Sequence, residues 1–164
     1  MINNKIPIVL ITDSNYAMQV SVVISSIIAN KNDSTIYDIF ILANNLKPED
    51  QEKLLTLSTN NTHIEIIDMN GKYTNLPNKT HWSNAIFLKF DISNIIKNYD
   101  KIIYLDADII VQKDLTDLYN VNLKDNYAAV VPDIAQVLKK EEILKDYFNY
   151  FNAGMILFLS LIHI

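Results

Sequence analysis

Short apolar runs and stretches of helical period alternate along the chain. Ile6–Ile11 (IPIVLI) is an almost unbroken β-branched run, the pattern of a strand buried on both faces. The polar break Thr12-Asp13-Ser14-Asn15 can cap a helix, and Tyr16, Val20, Val23, Ile24 and Ile27 then form one apolar helical face. Tyr37–Ala43 (YDIFILA) predicts a second strand, and Pro48 opens a second helix reaching about Leu57. His63–Asp68 (HIEIID) alternates as an edge strand does. Asn70–Asn84 is polar, holds Gly71 and Pro77, and reads as a loop placed to cover a site. Ala85–Tyr99 reads as a helix, Lys101–Leu105 (KIIYL) as a buried strand, and Ile109–Val111 as extended chain. Tyr127–Val131 predicts a strand, Gln136–Tyr147 a helix and Ala153–Phe158 a last strand. Such alternation predicts an α/β fold: a mostly parallel sheet with helices on both faces.

Composition narrows the chemistry. The chain has 164 residues, a single-domain length that supports a real core, and is 49% hydrophobic and 20% charged, as ordinary globular proteins are. Without cysteine, thiolate zinc sites, disulfides and cysteine nucleophiles are excluded. Two glycines, Gly71 and Gly154, are too few for a dinucleotide fingerprint or a P-loop. The net charge is −5 and all 14 basic residues are lysine, which argues against nucleic acid as a partner. Ile6–Ile11 is too short for a signal core or a membrane span, so the expected compartment is the cytoplasm.

Two strand ends carry candidate chemistry. Asp106 and Asp108 follow the strand Lys101–Leu105, where open α/β sheets bind their ligands. With 14 aspartates, chance alone supplies about one Asp-x-Asp pair, so position gives this one its weight. In extended chain, residues i and i+2 point to one side, so both carboxylates can face one hard cation; the alternative is a solvated turn. Asp13 and Asn15 stand between the first strand and helix, where they can bond a uracil edge or a ribose beside Tyr16, or merely cap the helix.

Taken together, Ile8–Tyr16 (IVLITDSNY), Ile102–Val111 (IIYLDADIIV) with Lys113-Asp114-Leu115, and Tyr150–Leu157 (YFNAGMIL) resemble three signatures of glycosyltransferase family eight, in the right order. The resemblance spans about Ile6 to Phe158. It implies a GT-A (Rossmann-like) fold and retaining transfer of a hexose, galactose or glucose, from a UDP-sugar to a cell-surface glycan or lipopolysaccharide acceptor. It further implies Mn2+ (or Mg2+) as cofactor, with Asp106 and Asp108 as metal ligands. Thr12, Asp13, Asn15 and Tyr16, with Asp106, Ala107 and Asp108, would bind the nucleotide-sugar. Asp133, Asn152, Ala153 and Gly154 would face the donor sugar and acceptor. No nucleophile stands out, which leaves front-face substitution. Bacterial members often attach to the inner face of the membrane through a carboxyl-terminal tail.

The chain departs from the family pattern in two places. An arginine common after the polar loop is replaced by Phe87, and Lys89, the nearest cation, is expected on another helix face. No metal-binding histidine follows in the expected surroundings, and His163 does not qualify. The end, Leu159 to Ile164, can be back-translated as CTG TCT CTT ATA CAC ATC, which resembles a transposon-end adapter sequence. The expectation is therefore residues 1–158 as the amino-terminal part of a C-terminally truncated GT-A domain, with 159–164 a non-native tail and little or no activity alone. Two other readings are a non-catalytic nucleotide-binding fragment and a haloacid-dehalogenase-like phosphatase built on LDADIIV. The latter motif normally begins its domain, whereas here 105 residues precede it.

Overall fold

The computed structural model describes residues 5–73, 84–133 and 151–160. The expected helix Gln136–Tyr147, most of the polar loop and His163 lie outside them. Six strands, β1 (Lys5–Thr12), β2 (Ile36–Ala43), β3 (Thr62–Asp68), β4 (Lys101–Leu105), β5 (Ala128–Pro132) and β6 (Phe151–Leu159), form one sheet in the order β3-β2-β1-β4-β6-β5. β3, β2, β1 and β4 run parallel, and β6 lies antiparallel between β4 and β5. The sheet is thus mixed and mostly parallel, as the alternation of elements implies, and β3 is an edge strand.

Each strand divides its side chains between two cores. Ile8, Leu10, Ile39, Ile41, Ile103 and Leu105 pack on α1 (Ala17–Asn30) through Val20, Val23, Ile24 and Ile27. On the other face Val9, Leu42, Ile102, Tyr104 and Ile156 meet Ala85, Leu88, Ile92 and Ile96. This i, i+2 division follows from the pleat, and it requires apolar residues on both faces of the central strands. α2 (Pro48–Leu55) adds Leu54 to the first core. Among the described residues no helix is long and apolar enough to cross a membrane.

Three expectations change. The segment Ala85–Tyr99 is a 3₁₀ helix over Asn84–Asp91 followed by one α-turn, α3 (Ile92–Ile95). Ala85 and Leu88, three apart, align on one side at three residues per turn, and Ile92 and Ile96 then follow at the α-helical spacing. Ile109–Val111 joins no strand. Val111 is tethered to α1 instead, its N–H donating to Ser26 Oγ (3.0 Å) and its carbonyl accepting from Asn30 Nδ2 (3.0 Å). Tyr16 leaves the apolar face of α1 and stands half-exposed before its first turn.

Candidate functional site

The strand order reverses at β1, whose neighbours are β2 and β4. The crevice beyond the carboxyl ends of β1 and β4 is therefore a topological switch point, where open sheets leave room for a ligand. Thr12, Asp13, Asn15 and Tyr16 leave β1 at that edge, and Asp106, Ala107 and Asp108 leave β4 there. β6 enters from the same edge with Asn152, Ala153 and Gly154. β5, pairing Pro132 with Phe151, delivers Asp133 to it.

Packing fixes the β1 turn. Thr12 is buried; its Oγ1 donates to the Asp13 carbonyl (2.9 Å), and its own carbonyl accepts from Asn44 N–H (2.9 Å). One oxygen of Asp13 accepts from the backbone N–H groups of Asn15 (2.9 Å) and Tyr16 (3.2 Å), closing the turn into α1. This is an Asx-type turn ahead of the helix and not the expected cap: the N-cap position of α1 is Tyr16, and no side chain caps it. Asn15 and Tyr16 remain exposed.

At β4, Tyr104 and Asp106 share a strand face, and the buried Tyr104 hydroxyl donates to Asp106 Oδ1. Burial pushes the Tyr104 phenol far up, with Asp106 and Asp108 adding in the same direction, so it stays a proton donor. The Asp106 N–H donates to the Gly154 carbonyl (2.7 Å), and the Gly154 N–H to Asn152 Oδ1 (2.7 Å). A Cβ on Gly154 would lie 2.8 Å from Asn152 Oδ1 and 3.1 Å from Asp106 Oδ2, so any larger residue would push these two side chains aside. Asp108 is exposed. Among the described residues no three His, Cys, Asp or Glu side chains gather into one cation site.

Lys89 lies on another face than Phe87, as expected, and it is the Lys89 face that meets Asp106. The Lys89 Nζ is 3.0 Å from Asp106 Oδ1, donates to the Ala153 carbonyl (3.2 Å) and lies 4.6 Å from the centre of the Tyr104 ring. The 3₁₀ winding was not evident from an apolar pattern that also fits an α-helix. Phe87 faces elsewhere, against Tyr73 (5.9 Å between ring centres) and Phe90 (6.4 Å). Asp114 of the Lys113-Asp114-Leu115 segment is a structural tie: it accepts from Asn32 N–H (2.8 Å), Tyr37 OH (3.1 Å) and Thr116 N–H (2.9 Å).

The family model described as Glycosyl transferase family 8 matches residues 7–160. A lipopolysaccharide 1,2-glucosyltransferase of Escherichia coli is 32% identical over 152 residues, covering 87% of this chain and 44% of that protein. General stress protein A of Bacillus subtilis (strain 168) is 23% identical over 155 residues, covering 92% and 54%. Among solved structures, the galactosyltransferase LgtC in complex with donor and acceptor sugar analogs superposes with a TM-score of 0.81 at 26% identity, covering 94% of this chain and 58% of that one. The chain spans about half the length of the relatives it matches.

Proposed function

The chain belongs to glycosyl transferase family 8, and from that premise we propose that it is the donor-binding part of a retaining hexosyltransferase. The reaction is transfer of galactose or glucose from a UDP-sugar to a cell-surface glycan or lipopolysaccharide acceptor. One observation carries the reading: four strand ends deliver Thr12–Tyr16, Asp106–Asp108, Asp133 and Asn152–Gly154 to a single edge at the topological switch point. The glucosyltransferase and galactosyltransferase relatives support a hexose as the group moved.

Asp106 and Asp108 offer the donor type that a divalent cation takes, with Ala107 and Asp108 in a turn and not in the extended chain expected. Asp106 already meets a positive charge through Oδ1, while its Oδ2 faces the bare Cα of Gly154. Carboxylate oxygen is the donor that manganese and magnesium prefer. Asp106 and Asp108 would hold the ion, with further ligands expected from the longer chain. Bound there, it supplies the positive charge that a departing diphosphate needs. The protein's own part is positional. Tyr104 and the Gly154 carbonyl fix the Asp106 carboxylate and backbone, and the Asp13 turn shapes the wall on which a uridine would rest. Front-face substitution is the course we propose for the transfer.

The chain alone is expected to bind UDP in a manganese-dependent manner and to turn over little or no sugar. Calorimetric titration with UDP and Mn2+ tests the first point, and Asp106→Asn with Asp108→Asn should abolish the metal dependence. In the complete reading frame, assayed with UDP-galactose and UDP-glucose, the same double substitution should lower turnover by at least about 100-fold. Unchanged turnover would sink the proposal. Metal-independent UDP binding would point to a nucleotide-binding fragment, and an aspartyl-phosphate on Asp106 to a phosphatase. Peripheral attachment at the cytoplasmic membrane face belongs to the same proposal and is read from vesicle co-sedimentation of the longer protein.

A further inference from the structure

We propose that Lys89 is a built-in rival of the divalent cation, its ammonium holding Asp106 in the metal-free chain and leaving it when a cation loads. The inference rests on the metal reading of Asp106 and adds to it a competitor supplied by the chain itself. Three contacts hold the ammonium: Asp106 Oδ1 at 3.0 Å, the Ala153 carbonyl at 3.2 Å and the Tyr104 ring at 4.6 Å. The Lys89 side chain is only 21% exposed, although lysine ordinarily keeps its head in water. A free surface lysine gains little from one ion pair and loses rotamer freedom by making it. Here a carboxylate, a carbonyl and an aromatic face converge on one point, which is what a fixed cation requires.

The competition is electrostatic and local. Asp106 Oδ1 already accepts from Tyr104 and Lys89, so an arriving cation at that oxygen meets a resident positive charge. Two cations on one carboxylate oxygen repel, and the univalent, tethered one gives way. Released from Asp106, the ammonium swings off the Tyr104 ring but stays tethered through the helical turn that carries Lys89. It therefore stays at the edge where an anionic diphosphate would lie. Phe87 contributes no charge there, because its ring packs on Tyr73 and Phe90. Lys89 thus stabilises the empty site, weakens the first binding of metal, and leaves a positive charge behind once metal is bound.

The test uses this chain and Mn2+ alone, with free Mn2+ counted by electron paramagnetic resonance. Lys89→Met should bind Mn2+ roughly two- to ten-fold more tightly than the unaltered chain. Lys89→Arg, which keeps the charge, should stay close to the unaltered chain, and Asp106→Asn should cancel the gain in Lys89→Met. A second readout requires no substitution at Lys89. The ring current of Tyr104 shields the Lys89 ε-methylene protons, and Mg2+ should shift their resonance toward the value of a free lysine. That shift should vanish in Asp106→Asn. Equal or weaker Mn2+ affinity in Lys89→Met, with affinity still dependent on Asp106, would overturn the rivalry and leave the metal site standing. Mn2+ affinity independent of Asp106 in both chains would overturn the rivalry and the metal reading together.

Discussion

Gly154 shows how one missing methyl group holds a site open. The Cβ of an alanine would press on Asn152 Oδ1 at 2.8 Å and Asp106 Oδ2 at 3.1 Å. Both are ends of side chains, which can turn aside, so the fold should survive. Gly154→Ala is expected to lower stability by about 1 kcal/mol, as mild overpacking does. Manganese-dependent UDP binding should fall by about ten-fold or more, because the carboxylate that moves is Asp106. Urea denaturation and calorimetry on one preparation separate the two effects. A fall in stability without a fall in binding would mean that Asp106 Oδ2 takes no part in the site.

At the scale of elements, Asp114 joins three pieces of the fold through one side chain. It accepts from Asn32 just after α1, from Tyr37 on β2, and from Thr116 at the start of α4 (Thr116–Tyr119). Burial alone would raise its carboxyl, but hydrogen bonds from Thr116 and Asn32 outweigh that and hold it at about 2. A carboxyl depressed on folding adds stability above its unfolded value, and that stability is lost as the pH falls toward 2. Discounted for solvent screening, the contribution is about 1 kcal/mol. Asp114→Asn should lower the urea midpoint at pH 7, and most of the difference should disappear by about pH 2 to 3. A difference that persists undiminished in acid would assign the effect to packing rather than charge. The tie also explains why Ile109–Val111 leaves the sheet: it is bonded to α1 at Ser26 and Asn30 and leads on to an aspartate that closes over the end of that helix.

Across the whole molecule, a buried ion cluster and the proposed site occupy opposite ends of the sheet. Asp38 pairs across the ladder with Pro7 and His63, near the amino ends of the parallel strands, and is buried there among Lys5, His63 and Tyr99. Burial would raise its carboxyl, yet hydrogen bonds from Tyr99, His63 and Lys5 hold it below the usual range. Asp38→Asn should lower stability at pH 7 by about 1–2 kcal/mol, since Tyr99, His63 and Lys5 lose a charged acceptor. Affinity for UDP and Mn2+ in the folded fraction should not change, and a loss of affinity would show that the two ends are coupled. The strands were legible in the sequence because a strand covered on both faces must be apolar along its buried length, as IPIVLI is and as KIIYL is after Lys101. The polar edge of the sheet was legible for a similar reason: polar residues that end such strands have nowhere to lie except beyond the sheet. Strand order, the antiparallel insertion of β6 and the contact of Gly154 with Asp106 were not legible. They join residues about 50 positions apart, as when Leu105 pairs with Met155, and no local period encodes such a pairing. Lys89 illustrates the same limit within a single element. Its pattern fits an α-helix and a 3₁₀ helix alike, and only packing of Ala85 and Leu88 on the sheet selected the winding that carries its ammonium to Asp106. The sequence by itself determined which segments are buried and which ends are polar, because hydrophobic burial depends on local composition. The tertiary structure alone decided which charges meet, because electrostatic contact depends on distances that close only when the chain is folded.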